Sequence, residues 1–171
     1  MAEGDPAHDG FDKPILYVGR YALFNEIASG GFASVHLGRS IGVGGFARTV
    51  AIKRLHRQYA KDPEVSAMFL DEAKVVARIR HPNVLPTLDL IAEDDELFLV
   101  MEYVEGVTFR YLMRHAKKRK RQIPLGVTLR IIVGALHGLH AAHEATDELG
   151  DPLHVIHRDV SPDNLLIGVD G

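Results

Sequence analysis

The sequence predicts an α+β fold in two parts, and three observations predict it. Residues 20–101 hold short runs in which apolar and polar residues alternate between glycine-rich or acidic turns, the pattern of an antiparallel sheet. One stretch of helical spacing, near residues 62–80, interrupts those runs. Residues 108–171 then carry longer helical repeats, followed by two short apolar runs around a polar loop.

The first two strands lie in Tyr21-Ala22-Leu23-Phe24, running on to Ile27, and in Val35-His36-Leu37, a hairpin around the turn Ala28-Ser29-Gly30-Gly31-Phe32-Ala33-Ser34. After a second glycine-rich stretch, residues 38–48, the third strand is Thr49-Val50-Ala51-Ile52-Lys53. Asp62-Pro63 is a helix start, with the carboxylate as N-cap and proline at the first helical position. Val65, Met68, Phe69, Val76 and Ile79 follow at helical spacing until His81-Pro82 stops the repeat. Strands four and five occupy residues 88–91 and 97–101, joined by the acidic turn Glu93-Asp94-Asp95-Glu96. A helix begins near Thr108, and Pro124 opens a longer one striped by Leu125, Leu129, Ile132, Val133, Leu136 and Leu139. Val155-Ile156 and Leu165-Leu166-Ile167 read as two short buried strands flanking the polar loop. Residues 1–19 read as a flexible leader.

The 171 residues include 20 Lys and Arg, 23 Asp and Glu, and no Cys, for a formal net charge of −3. Without cysteine there is no disulfide scaffold and no Cys-based zinc or redox motif. The near-neutral balance argues against nucleic acid as the main partner, since such proteins carry a basic surplus on one face. The first residues lack the basic and apolar regions of a signal peptide, and no apolar stretch is expected to reach the roughly 18 residues that span a bilayer. The expected location is the cytoplasm.

Three places can carry chemistry. The loop Ala28-Ser29-Gly30-Gly31-Phe32-Ala33 is a degenerate G-x-G-x-x-G that runs into a strand, not into the helix a dinucleotide fingerprint needs. It is either an ordinary hairpin turn or a loop whose backbone N–H groups face a triphosphate. Glu72 falls on the apolar stripe of its helix, where a carboxylate is costly unless paired. Lys53 is its candidate partner, and the alternative is a place at the stripe's edge in water. In His157-Arg158-Asp159-Val160-Ser161-Pro162-Asp163-Asn164, one loop could set a carboxylate beside a substrate hydroxyl and an amide oxygen on Mg2+.

In this order the residues resemble the eukaryotic-like, bacterial-type serine/threonine protein kinases, from about residue 20 onward. The segment Ile27-Ala28-Ser29-Gly30-Gly31-Phe32-Ala33-Ser34-Val35 stands where that family has its glycine loop, and Val50-Ala51-Ile52-Lys53 matches V-A-I-K. Glu72 takes the place of the helix glutamate, with His81-Pro82-Asn83 after it. Met101 falls at the gatekeeper position ahead of Glu102-Tyr103-Val104, and residues 157–164 match H-R-D-x-x-x-x-N. The resemblance implies a protein-kinase-like fold with an N-lobe over 20–101, a hinge over 102–107 and an incomplete C-lobe over 108–171. It implies ATP and Mg2+ as cofactors and a Ser or Thr of a protein as acceptor. Lys53, oriented by Glu72, would bind the α- and β-phosphates, Asp159 would accept the hydroxyl proton, and Asn164 would hold one Mg2+. Val35, Ala51 and Leu166 would contact the adenine, with hydrogen bonds between it and the backbone of Glu102 and Val104.

The sequence also departs from that pattern. Ser161 stands where these kinases usually carry a Lys two residues after the catalytic Asp, and Ala28 and Ala33 replace two glycines of the loop. Residues 144–153 form a longer insert than usual, expected on the surface. The sequence stops at Asp170-Gly171 before any D-F-G, so phosphoryl transfer by these residues alone is expected to be severely weakened, and the stripe of the long helix is expected to lie open. A non-catalytic ATP-binding or scaffolding role is the alternative to catalysis. The run Lys117-Lys118-Arg119-Lys120-Arg121 is either a solvated loop or a contact for nucleic acid, acidic lipid or an acidic substrate.

Overall fold

The computed structural model describes residues 13–170, which form two compact units. The first contains residues up to Ala77 and Pro86–Tyr103, and the second contains Arg78–Leu85 and the residues from Val104 onward. Most of the leader read from the sequence, residues 1–12, lies outside the described residues.

The first unit is a six-stranded antiparallel sheet. Its strands are β1 (Leu16–Val18), β2 (Tyr21–Ser29), β3 (Ala33–Ile41), β4 (Ala47–Leu55), β5 (Thr87–Glu93) and β6 (Glu96–Glu102), in the order β1-β2-β3-β4-β6-β5. The sequence reading gave five strands and placed residues 16–18 in the leader. They instead pair with β2, Leu16 opposite Leu23 and Val18 opposite Tyr21, which lets Val18 join the core. Alternation sorts the side chains onto two faces. Val50 and Ile52 of β4 and Phe98 and Val100 of β6 pack with Tyr21 and Leu23 on one face. Leu55 and Leu99 point to the other, where Phe69 and Ala73 of helix α2 (Pro63–Val76) cover them. Burying each of the larger side chains is worth about 1.5–3 kcal/mol. Helix α2 starts where Asp62 and Pro63 say it should: the Asp62 carboxylate accepts from the Glu64 and Val65 N–H groups at 2.9 and 3.3 Å. Ahead of it, one turn of helix, α1 (Arg57–Ala60), has no periodicity to announce it.

In the second unit, α3 (Phe109–Lys118) is capped by Thr108, whose hydroxyl accepts from the Tyr111 N–H, and α4 (Leu125–His143) follows. The short strands β7 (Gly106–Thr108) and β8 (Leu166–Gly168) pair with each other. Val155 and Ile156 form no strand, which corrects one of the two strands expected beside the polar loop; the other, read at Leu165-Leu166-Ile167, is β8, whose partner β7 lies sixty residues upstream. At Gly106 the strands lie so close that a Cβ would fall 2.0 Å from the Ile167 carbonyl oxygen. Helix α4 meets the His81-Pro82-Asn83 turn in the same way, because a Cβ on Gly138 would sit 2.6 Å from the Asn83 carbonyl oxygen. The insert after α4 is an ordered turn in which Asp147 accepts from the Leu149 and Asp151 N–H groups, and these bonds hold its carboxyl below the usual range.

A second correction concerns α4. Its 19 residues reach a mean hydropathy of 1.4, so by length and composition it can cross a membrane, contrary to the expectation that no stretch comes near that length. Here its small residues Gly138 and Ala142 are buried, while Leu125, Leu129 and Leu136 are more than half exposed. A core helix of a soluble domain passes the same compositional test.

Candidate functional site

In the first unit, β2 and β3 bring the glycine segment together. Ser29 pairs with Ser34 and Ala28 with Val35, and the turn closes through the Gly30 N–H on the Ala33 carbonyl at 2.9 Å. Ala28, just past a register shift of the β2–β3 pair, and Ala33 lie within strands and neither has a left-handed φ, so the alanines in place of glycine carry no left-handed backbone strain. Gly31 faces open space, and Ile27 and Phe32 are half exposed. Ser34 is turned inward: its hydroxyl bonds to Nε2 of the buried His36, whose Nδ1 lies 3.1 Å from the Phe24 carbonyl oxygen.

Lys53 and Glu72 meet for a reason visible in the strand. Ala51, Lys53 and Leu55 alternate onto the face that α2 covers, and Glu72 precedes the buried Ala73 on α2. Lys53 Nζ therefore reaches Glu72 Oε1 at 2.7 Å and lies 5.5 Å from the centre of the Phe69 ring. The Glu72 side chain is 48% exposed. The two readings of Glu72 are thus both partly right, since the carboxylate is paired and also wet. Met101 stands opposite Ala51 across the β4–β6 ladder. Glu102 ends β6, where Arg48 engages its carboxylate and its N–H donates to the Pro86 carbonyl.

The second unit holds Val104, Asp159, Asn164 and Leu166. Val104 precedes β7 and Leu166 begins β8. Asp159 and Asn164, both exposed, are locked together: Asn164 Nδ2 donates to the Asp159 carbonyl oxygen and to its Oδ2, each at 2.9 Å. That commits the amide nitrogen inward and leaves Asn164 Oδ1 and Asp159 Oδ1 without a hydrogen-bond partner among the described residues. Arg158 adopts φ 61°, a left-handed conformation that costs a non-glycine residue about 1–2 kcal/mol. Such strain persists where surrounding contacts enforce it. Here the Asp159 N–H bonds to the His157 carbonyl at 2.8 Å and the Asn164 N–H to the Ser161 carbonyl at 3.0 Å.

Sequence reasoning missed what anchors this loop. The first two N–H groups of α3 donate to it, Phe109 to the Leu165 carbonyl and Arg110 to the Pro162 carbonyl, and the Arg110 guanidinium grips Asp163 at 3.1 Å. Only the opposite charges of Arg110 and Asp163 hint at this in the sequence, across 53 residues.

The family described as Protein kinase domain matches residues 21–171, and the chain belongs to it. The tyrosine-protein kinase MasK of Myxococcus xanthus is 39% identical over 153 residues, which are 90% of this chain and 24% of that protein. The probable serine/threonine-protein kinase pknA2 of Bifidobacterium longum is 35% identical, covering 100% of this chain and 20% of that one. The chain thus spans a quarter or less of these relatives. Among solved structures, the PknI kinase domain of Mycobacterium tuberculosis superposes with a TM-score of 0.67 at 26% identity, covering 91% of this chain and 57% of that one. The bacterial-type kinase resemblance and the kinase-like fold read from the sequence both stand.

Proposed function

We propose that this chain supplies the ATP-binding and hydroxyl-activating groups of a protein kinase that phosphorylates Ser or Thr in proteins. The observation that carries the reading is the pairing of Asn164 with Asp159, which holds a carboxylate and an amide oxygen outward on one exposed loop. Asp159 accepts the proton of the acceptor hydroxyl through its uncommitted oxygen as the hydroxyl oxygen bonds to the γ-phosphorus and ADP departs. Lys53, held by Glu72, keeps ammonium protons for the α- and β-phosphates. The glycine turn offers backbone N–H groups to the triphosphate, with Gly31 presenting no side chain toward it.

The donor set fits Mg2+, a hard cation that takes oxygen ligands, because Asn164 Oδ1 is an oxygen left over from the internal hydrogen bonds. When bound, Mg2+ supplies neutralisation of phosphate charge. Ser161 brings no cation to the Asp159 loop, and Lys53 supplies one toward the phosphates. Ser or Thr as acceptor follows relatives such as pknA2, and the tyrosine-kinase name of MasK makes the acceptor the first thing to measure.

The test is transfer from labelled ATP by the full-length natural protein, with phosphoamino-acid analysis of the product. Label on Ser or Thr is expected, with a loss of about 10²–10⁴-fold in kcat for Asp159→Asn and a comparable loss for Lys53→Met. Transfer undiminished in Asp159→Asn rules the reading out, and label on Tyr alone corrects the acceptor. ATP binding without any transfer favours the non-catalytic alternative.

A further inference from the structure

We propose that the basic tract at the C-terminal end of α3 docks an acidic segment of the protein substrate, at least about five residues away from the phosphorylated hydroxyl. This rests on the kinase reading above and adds a substrate class to it.

Arg114, Lys117, Lys118, Arg119, Lys120 and Arg121 are all exposed, and no Asp or Glu occurs between Arg110 and Arg121. Among the described residues none of the six has an ion-pair partner. A helix dipole favours cations only within its last turn, so it accounts for Lys117 and Lys118 and not for the whole cluster. Six unneutralised cations within eight residues repel one another, and a polyanion relieves that repulsion. The tract is also fixed in shape. Lys120 takes a left-handed φ of 52°, and the Arg121 and Lys120 N–H groups bond back to the Ala116 and Lys117 carbonyls at 2.9 and 3.0 Å.

The same helix connects the tract to the loop that holds Asp159. Its N-terminal end is tied to Pro162, Asp163 and Leu165. Ten helical residues at 1.5 Å each put the tract about 15 Å from that anchor. An extended peptide covers roughly 3.3–3.6 Å per residue, so four or five residues span the gap. An acidic protein segment suits this place better than other polyanions. Residues 114–121 carry no Phe, Tyr or Trp on which a base could stack, and Tyr111 is stacked on His115 of its own helix at 5.7 Å. No apolar side chain stands within residues 117–121 to enter a lipid headgroup layer.

The experiment uses the full-length natural protein and two peptides that share one Ser and a flexible spacer of about six residues. One ends in consecutive Glu and the other in Gln, and each is made in both chain directions. The expected result, in at least one direction, is a KM about tenfold lower for the Glu peptide. That advantage should vanish in Lys118→Glu/Arg119→Glu/Arg121→Glu, with kcat on the Gln peptide unchanged. Equal KM values, or an advantage that survives the reversal, overturn the proposal. Fluorescence anisotropy of the labelled Glu peptide separates the two levels of inference. Charge-dependent binding without phosphate transfer sinks the kinase reading and keeps the docking surface, whereas absence of charge-dependent binding sinks the docking surface alone. Tighter charge-dependent binding to phosphatidylserine vesicles or single-stranded DNA than to the Glu peptide also overturns it.

Discussion

The sheet unit and the helical unit reach order by different routes. The largest fully buried side chains, Tyr21 and Phe98 among them, all belong to the sheet, where two faces of alternating residues close on β1 and on α2. In the helical unit the buried apolar residues are few, Ile79, Phe109, Ala142 and Ala145, and two of these four are alanines, while Leu125, Leu129 and Leu136 stay more than half exposed. What fixes the helical unit is backbone: Gly138 against the Asn83 carbonyl, the first N–H groups of α3 on the Asp159 loop, and the Asp147 carboxylate gathering N–H groups of its turn. Side-chain volume therefore decides stability in one unit, and chain conformation decides it in the other. This division suits the proposed chemistry, since the Lys53–Glu72 pair rides on a rigid strand while the Asp159 loop is set by hydrogen bonds.

The contrast is most easily broken by two truncations. Phe98→Ala removes a ring that is 1% exposed in the sheet core and is expected to cost about 3–5 kcal/mol. Leu129→Ala, on the open stripe of α4, is expected to change stability by less than about 0.5 kcal/mol. Urea titration of the 171-residue chain, followed by near-ultraviolet circular dichroism of its tyrosines, measures both. Costs of similar size would show that the α4 stripe is as much a core as the sheet.

The next effect sharpens the comparison with charge. Glu96 is buried at the start of β6 and takes a hydrogen bond from Arg54 at 2.6 Å and another from Arg57 of α1. Burial alone would raise its pKa, and the two guanidinium hydrogen bonds outweigh burial and lower it. A carboxyl lowered in the folded state contributes stability that is fully present above the ordinary range near pH 4.3 and lost as pH falls through the folded value. The urea midpoint should accordingly drop below about pH 4. Glu96→Gln is expected to cost roughly 2 kcal/mol at pH 7 and to flatten that acid limb. An acid limb as steep in the variant as in the natural chain would assign the pH dependence to other carboxylates.

How much of this was legible in the sequence follows the same division. Strand alternation marked β2, β3, β4, β5 and β6, and Asp62-Pro63 marked the start of α2, because local pattern and core packing agree there. The pairing of Lys53 with Glu72 was readable as one of two outcomes, since a single helical stripe and a strand of period two leave few partners. The three-residue strands β1 and β7 were beyond reach because they are too short to alternate, and β8, read from Leu165-Leu166-Ile167, was legible without its partner, which lies sixty positions earlier. The left-handed Arg158 and the Arg110–Asp163 anchor were equally hidden, because each depends on contacts between distant segments and on no residue type that announces them. The misread α4 had the opposite cause. Its stripe was recognised, but its glycines, alanines and single arginine were not summed into a membrane-length apolar run.

The smallest expected effect tests the backbone side of the contrast directly. Lys120 occupies the left-handed position that ends α3, where glycine is the favoured residue because it has no Cβ to clash with the following carbonyl. Lys120→Gly relieves that clash, about 1 kcal/mol, and gives part of it back through the greater freedom of the unfolded chain and the loss of one cation near the helix C-terminus. The net expectation is a gain of about half a kcal/mol, read as a higher urea midpoint at unchanged slope. The hydrogen bonds from Lys120 and Arg121 back to Lys117 and Ala116 come from backbone N–H groups and survive the change. A lower midpoint would mean that the lysine side chain holds the end of α3, and the helical unit would then depend on side-chain contacts much as the sheet does.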